Sequence, residues 1–416
     1  MAMQLTADEE AMVAGKQGEA VRRALEMQRA VGDFFQADRF VPISSAHVMA
    51  EIESMGDAGL AYVEEMADLG AVARVPTTIN PRSVDFEHWE DLGQDARQYK
   101  REMRLSRALE KMHGMTLNTC INYQTIVQPQ FGEHLAWGDT GTVIYANAVA
   151  GARTNFEGGP VALAAAITGR TPNYGYHRPE QRRGTVLVEV EDQPHSMTDW
   201  GALGGVIGRR VNDYWQVPVI TGVQTQPAAD DIKHLGASLA SYGSLAMFHL
   251  VGVTPEAHTV GEAFAGQAPS ETVAVPRGSL KAFYRSFAPE KPEVDVVVFG
   301  TPQLSVFELQ ELAHAFVGKR AAPNTRLIFT TNYQNREAAE RLGHVRILQE
   351  AGGLVLSGVC FYLVTARELA LKFGYRTLVT NSAKLANIIA GYGYNPIFRL
   401  TDVCVRAALT GRLDEE

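Results

Sequence analysis

The chain has 416 residues, 46% of them apolar and 20% charged, with 38 glycines. That is long enough for two or three domains, since one core rarely grows beyond roughly 250–300 residues, and it fits a globular α/β chain rather than a disordered or fibrous one. Its 38 basic residues against 47 acidic ones give a net charge of −9 without a basic run, which excludes an electrostatic nucleic-acid binder. No stretch nears 18 consecutive apolar residues and the start, Asp8-Glu9-Glu10, lacks a signal peptide's basic and apolar regions, so a cytoplasmic protein without a membrane span is predicted.

Thr6, with Glu9 three residues on, predicts a capping box opening a helix whose apolar positions include Met12, Val13, Val21, Ala24 and Leu25. Residues 40–47 follow as an extended segment, then a helix through 61–67 and a short strand over 71–75. Between 116 and 175 the chain crowds Thr119-Cys120, Gly132-Glu133-His134, Trp137-Gly138-Asp139-Thr140, Asn147, Gly151-Ala152-Arg153-Thr154-Asn155 and Glu157-Gly158-Gly159-Pro160. Permissive glycine backbone beside polar side chains marks loops lining an active site. A strand over 185–190 leads to Gly204-Gly205 within a turn and helix over 201–212, a strand over 217–220 and a helix over 237–249. The Ala-, Gly- and Pro-rich stretch 260–276 is the expected boundary between an N-terminal region, 1–260, and a C-terminal α/β domain, 277–416. There, strands over 294–300, 325–330, 354–356 and 377–380 alternate with helices such as 306–317. That alternation predicts an α/β fold of parallel or mixed sheets covered by helices.

The three cysteines, Cys120, Cys360 and Cys404, are odd in number and far apart. They exclude a disulfide framework and a local Cys-x-x-Cys knuckle, leaving buried small hydrophobes or metal ligands as readings. His47, His134 and His249 are acid–base candidates, although a lone histidine is more often a satisfied core residue.

Several segments resemble the large subunit of the aconitase X family: Pro76-Thr77-Thr78-Ile79-Asn80-Pro81, Thr119-Cys120-Ile121-Asn122-Tyr123, Gly132-Glu133-His134-Leu135-Ala136-Trp137 and the run from Tyr145 to Gly159. The run from Gly169 to His177, Phe248-His249-Leu250-Val251-Gly252-Val253-Thr254-Pro255-Glu256-Ala257 and Asn381-Ser382-Ala383-Lys384 continue it in order, so the resemblance covers residues 5–410. It implies an aconitase-like multi-domain α/β architecture and a hydro-lyase. The expected reaction converts cis-3-hydroxy-L-proline to Δ1-pyrroline-2-carboxylate, with mevalonate 5-phosphate dehydration as the alternative. It also implies an iron or iron–sulfur centre, with mononuclear iron, [2Fe–2S] and [4Fe–4S] all open, and a small swivel-domain subunit supplied as a separate chain.

The same resemblance assigns Cys120, Cys360 and Cys404 as the metal ligands. Three thiolates would leave an iron position open for a substrate hydroxyl. Arg153 is the candidate carboxylate clamp, its alternative being a structural pair with Glu157. Ser382 and Lys384 are further candidates, Lys384 as a second cation or a surface lysine. His47 ranks first among the histidines, Asp139 and Glu133 could orient one, and Asn147 and Asn155 offer uncharged hydrogen bonds. By analogy the base is a serine of the small subunit. The chain departs from the family at Ile121-Asn122, Asp139-Thr140, Ala148, Phe156 and Thr301-Pro302-Gln303. An Arg and a His are lost by these changes, which disfavours a phosphorylated substrate and keeps open a non-catalytic, cluster-bearing scaffold subunit.

Overall fold

The computed structural model describes residues 3–414. Thr6 and Glu9 form the capping box: Thr6 N donates to Glu9 Oε2 at 2.8 Å and Glu9 N to Thr6 Oγ1 at 3.3 Å. That starts the helix Ala7–Val13, and Glu19–Phe34 follows, burying Ala24 and Leu25. Three parallel sheets then organise the chain. The first orders its strands Thr77–Ile79, Ala46–Val48, Ala136–Trp137. Its apolar residues pack with those of the helices Ile52–Asp68, Ala96–Lys111 and Gly159–Thr168. The strand expected over 71–75 is not formed; pairing begins at Thr77, because Ala73 N and Arg74 N bond instead to Met112 O and Ala166 O.

The second sheet runs His249–Leu250, Pro218–Thr221, Val186–Val190, Glu271–Val275. Its last strand lies inside the stretch 260–276, so that stretch is a connection within this layer rather than a break after it. The helices Met197–Val211 and Ala229–Gly243 cover the sheet and approach each other closely. A methyl at Gly204 would sit 2.8 Å from Ser238 Cβ, and one at Gly208 2.9 Å from Tyr242 Cβ; only glycine permits this contact. The helix expected over 237–249 therefore begins earlier and ends at Ser244, whose φ is +55°. His249, read as a helix end, belongs to a strand.

The third sheet orders Gly353–Ser357, Arg326–Thr331, Val296–Leu304, Thr377–Thr380 and Asn395–Phe398, all parallel. Alternate residues face two cores, Val297, Phe299 and Phe329 into one and Val296, Val298 and Ile328 into the other. Burial on both faces explains the unbroken apolar runs of these strands. Arg82, just beyond the first sheet, ties it to the third: its N–H donates to Gly358 O at 2.9 Å and its guanidinium to Tyr333 Oη at 2.5 Å. Parallel α/β sheets bind ligands beyond their carboxyl ends, and here those ends of the first and third sheets face each other. Among the described residues no helix is long and apolar enough to cross a membrane.

Candidate active site

Two cysteine loops meet between these sheets. Cys120 precedes the helical turn Asn122–Thr125, and Cys360 follows the strand Gly353–Ser357 through Gly358 at φ +70°. A Cβ at Gly358 would come within 2.8 Å of the Tyr333 ring, so the tight turn needs glycine there. Both sulfurs are buried, and each perturbs the other. The hydrogen bond to Cys360, with burial, pushes the Cys120 thiol well up. Burial also raises Cys360, but its hydrogen bonds with Cys120 and Thr301 and the Lys384 charge bring it below the ordinary thiol range. Thr301 Oγ1 lies 3.0 Å from Cys360 Sγ, and Gln303 N donates to Cys120 Sγ at 3.3 Å. The Gln303 amide braces both loops, accepting from Cys120 N at 3.2 Å and donating to Asn118 O and Val359 O, each at 3.1 Å.

Lys384 and Asp139 form the charged part of the site. Asp139, after the strand Ala136–Trp137, caps the helix Thr140–Ala148; its Oδ2 accepts from Gly141 N at 3.0 Å and Thr142 N at 3.4 Å. Lys384 Nζ lies 3.4 Å from Asp139 Oδ1. Burial lowers the Lys384 pKa, but Asp139, Cys120 and Cys360 outweigh it and hold the ammonium charged. Ser382 is the N-cap of Ala383–Ile389: its Oγ accepts from Leu385 N at 3.0 Å and donates to Thr301 O.

His47 reaches the same end of the first sheet, but both ring nitrogens are engaged, Nδ1 with Thr78 Oγ1 at 2.8 Å and Nε2 with Asn80 Oδ1 at 3.2 Å. Burial depresses its pKa to about 4, so it is neutral and held in place. Glu51, which the sequence reading missed, follows the strand Ala46–Val48. It is fully buried with Oε2 unpartnered. Burial raises its pKa to about 8, with Glu102, Glu53 and Asp139 adding to the rise against a hydrogen bond from Ser54. At neutral pH it is a carboxylic acid. No spacing signal marks such an acid; only the strand ending three residues before it points there.

Four expected site residues lie elsewhere. Arg153 pairs with His134 at the opposite end of the strand segment from Asp139, roughly 15 Å of extended chain away, because residues 153–157 run alongside 133–138. Asn147 is a structural brace, bonded to Thr154 O and Ala246 O at 2.9 Å and accepting from Thr154 N at 3.0 Å. Asn155 likewise joins Tyr174 O and Tyr176 N. Cys404, on the helix Thr401–Thr410, packs with Val297, Val379 and Ile397 and donates to Arg399 O at 3.4 Å. His134 contacts His177 at 3.0 Å between ring nitrogens, and His249 bonds Arg182 O at 2.8 Å; neither joins the cysteines. Glu133 accepts from Gln130 N at 2.8 Å.

Among the described residues no group of three or more His, Cys, Asp or Glu side chains is arranged to hold a metal ion. With Cys404 packed beside Val297 and Ile397, a three-thiolate centre does not fit, whereas the pair Cys120–Cys360 offers two converging sulfurs. A cavity of about 510 Å³ adjoins the Cys120 loop, lined among others by Tyr123, Tyr145, Asp230, Ser305 and Phe307.

Family models described as the first, second and third domains of aconitase X match residues 2–180, 184–285 and 294–410. A phosphomevalonate dehydratase large subunit of Methanothermobacter thermautotrophicus is 38% identical over 384 residues, 92% of this chain and 93% of the relative. A cis-3-hydroxy-L-proline dehydratase of Pseudomonas aeruginosa is 37% identical over 413 residues, 98% of this chain and 70% of the relative. The crystal structure of Thermococcus kodakaraensis aconitase X in its holo-form superposes with a TM-score of 0.88 at 32% identity, covering 98% of this chain and all of that one.

Proposed function

The chain belongs to the aconitase X family, and from that premise we propose that it is the large subunit of a hydro-lyase that dehydrates cis-3-hydroxy-L-proline to Δ1-pyrroline-2-carboxylate. The observation that carries the reading is Lys384, a buried ammonium facing two sulfurs and one carboxylate. It suits a substrate with one carboxylate. A phosphorylated acid would need more fixed cationic donors, and the neighbouring Arg82 is committed to Asn118, Tyr333 and Ser357 O. Mevalonate 5-phosphate is the second reading, favoured by the relative of that activity at 38% identity.

In this account Lys384 orients the substrate carboxylate, and Asp139 keeps the ammonium charged and in place. Glu51 is a protonated acid at the same end of the first sheet, suited to assist departing hydroxide. An iron-bearing group at Cys120 and Cys360 would supply Lewis acidity when bound. His47 has both nitrogens occupied, and the Asp139 carboxylate is held by Gly141 N and Lys384, so the base for the α-proton is assigned to the partner. That partner is a small subunit, as the name "large subunit" of several relatives suggests. The test is anaerobic assay of the two-subunit complex with both hydroxy acids. Turnover of cis-3-hydroxy-L-proline is expected; turnover of mevalonate 5-phosphate alone would reassign the substrate.

A further inference from the structure

In the reaction proposed above Glu51 gives up a proton in every turnover, while the base that gains one stands on the partner subunit. A buried acid so placed needs a route by which to recover its proton. We propose that Ser54 is that route: its hydroxyl, open to solvent and hydrogen-bonded to the Glu51 carboxyl, relays a proton from bulk water to Glu51 once the hydroxyl of the substrate has left as water. The inference rests on the reading of Glu51 as the acid, and one arm of its test is independent of turnover.

Glu51 is fully buried, and among the described residues its carboxyl makes a single hydrogen bond, accepted at Oε1 from Ser54 Oγ, while Oε2 has no partner. Ser54 is exposed, so this one bond spans the boundary between the site and solvent. The local fold explains the contact. Helical side chains lean toward the N-terminus, so the third residue of a first turn reaches back over the residue that precedes the helix. Met55 N donates to Glu51 O at 3.0 Å and closes that turn. Gly56, at φ +61° and ψ −161°, then breaks the helix Ile52–Asp68. A Cβ at Gly56 would meet nothing within 4 Å, so it is the backbone angle that calls for glycine there, and the turn carrying Ser54 takes its own direction.

The other groups facing Glu51 offer no such route. Glu102, from the helix Ala96–Lys111, is itself buried and accepts from Ser83 Oγ at 2.6 Å and Ile52 N at 3.1 Å. Glu53 Oε2 accepts from Thr365 N at 3.1 Å, and Asp139 is held by Gly141 N and Lys384. Burial raises the phenols of Tyr362 and Tyr392, which stay neutral. Glu102, Glu53 and Asp139 all disfavour a charged Glu51, so the carboxylate left after each turnover is driven to take up a proton. The transfer balances: Glu51 protonates the departing hydroxide as the C–O bond breaks, its carboxylate takes the Ser54 Oγ proton, and Ser54 takes one from an acid in solvent.

The experiment uses the two-subunit complex with cis-3-hydroxy-L-proline and, separately, the chain alone. In the complex, Ser54→Ala should lower kcat about tenfold or more and leave kcat/KM near native, because reprotonation follows product release. Imidazole buffer at rising concentration should restore kcat in Ser54→Ala, and Ser54→Thr should keep it. In the chain alone, infrared spectroscopy follows the C=O band of the protonated Glu51 carboxyl, identified by its loss in Glu51→Gln. On transfer to D₂O the band should shift within mixing in the native chain and on a resolved, slower timescale in Ser54→Ala. Native kcat in Ser54→Ala would overturn the relay, as would an equal fall in kcat and kcat/KM without response to imidazole, or equal exchange of the band in the two chains. Native turnover by Glu51→Gln would remove Glu51 from the reaction, whereas slowed exchange in Ser54→Ala would still uphold the path through Ser54.

Discussion

Asp139 and Lys384 are 245 positions apart in sequence and meet at 3.4 Å, with both side chains 3% exposed. The pair joins the carboxyl end of the first sheet to that of the third. A charge left alone in such a place costs more than the pair contributes.

Lys384→Met should therefore destabilise the chain by about 3–5 kcal/mol, and Asp139→Asn by a similar amount. The double variant should cost clearly less than the sum of the two. Urea unfolding of the three variants checks this; additive costs would mean that the two groups do not interact.

Glu51 predicts a pH dependence of stability. Its folded pKa of about 8 stands above the ordinary value of 4.5, so the stability it contributes as a neutral acid is fully present below about pH 4.5. That stability is lost as pH rises through 8. Glu51→Gln removes the titration, so the gap between variant and native chain should shift in the variant's favour by about 3–5 kcal/mol from pH 4.5 to pH 9. Parallel curves from urea unfolding across that range would contradict the assignment.

Gln303→Met should leave Asn118 O, Val359 O and Cys120 N without their partners. The expected loss is about 2–4 kcal/mol of stability, at the usual cost of buried unsatisfied groups. Thermal unfolding beside a surface control substitution measures it, and an unchanged midpoint would argue that the brace is dispensable.

Arg153 and Asn147 test where the site ends. Arg153→Ala should change kcat/KM less than about threefold, because its position is far from the cysteine pair. Asn147→Ala should lower stability by about 2–4 kcal/mol while leaving kcat near native. A large kcat loss in Arg153→Ala would restore it as a substrate clamp.

The third layer was the most legible part of the chain. Runs such as Val296–Phe299 and Leu327–Phe329 are apolar on both faces and bounded by turns, a pattern strong enough to place parallel strands. The three-residue strands of the first sheet carry no such periodicity, and residues 71–75 were as plausible a strand as Thr77–Ile79. At the site, the motif containing Ser382 and Lys384 was legible, and the structure places it beside Thr301 and Asp139. The cysteines were harder to read: nothing in their spacing tells that Cys404 lies in an apolar core while Thr301, a residue without metal-ligand character in sequence, touches Cys360. Arg153 stands apart from the cysteine pair for a related reason, since the chain alongside Ala136–Trp137 runs parallel to it and carries residue 153 to the far end.

The central claim is water elimination at the corner of Cys120, Cys360 and Lys384. It is tested most directly by following cis-3-hydroxy-L-proline by proton NMR with the iron-loaded two-subunit complex, native and Lys384→Met. The native complex should replace the hydroxyl-bearing C3 methine by a methylene, and the variant, confirmed folded by its unfolding transition, should be slower by about a hundredfold or more. Native-like turnover in Lys384→Met would contradict the account.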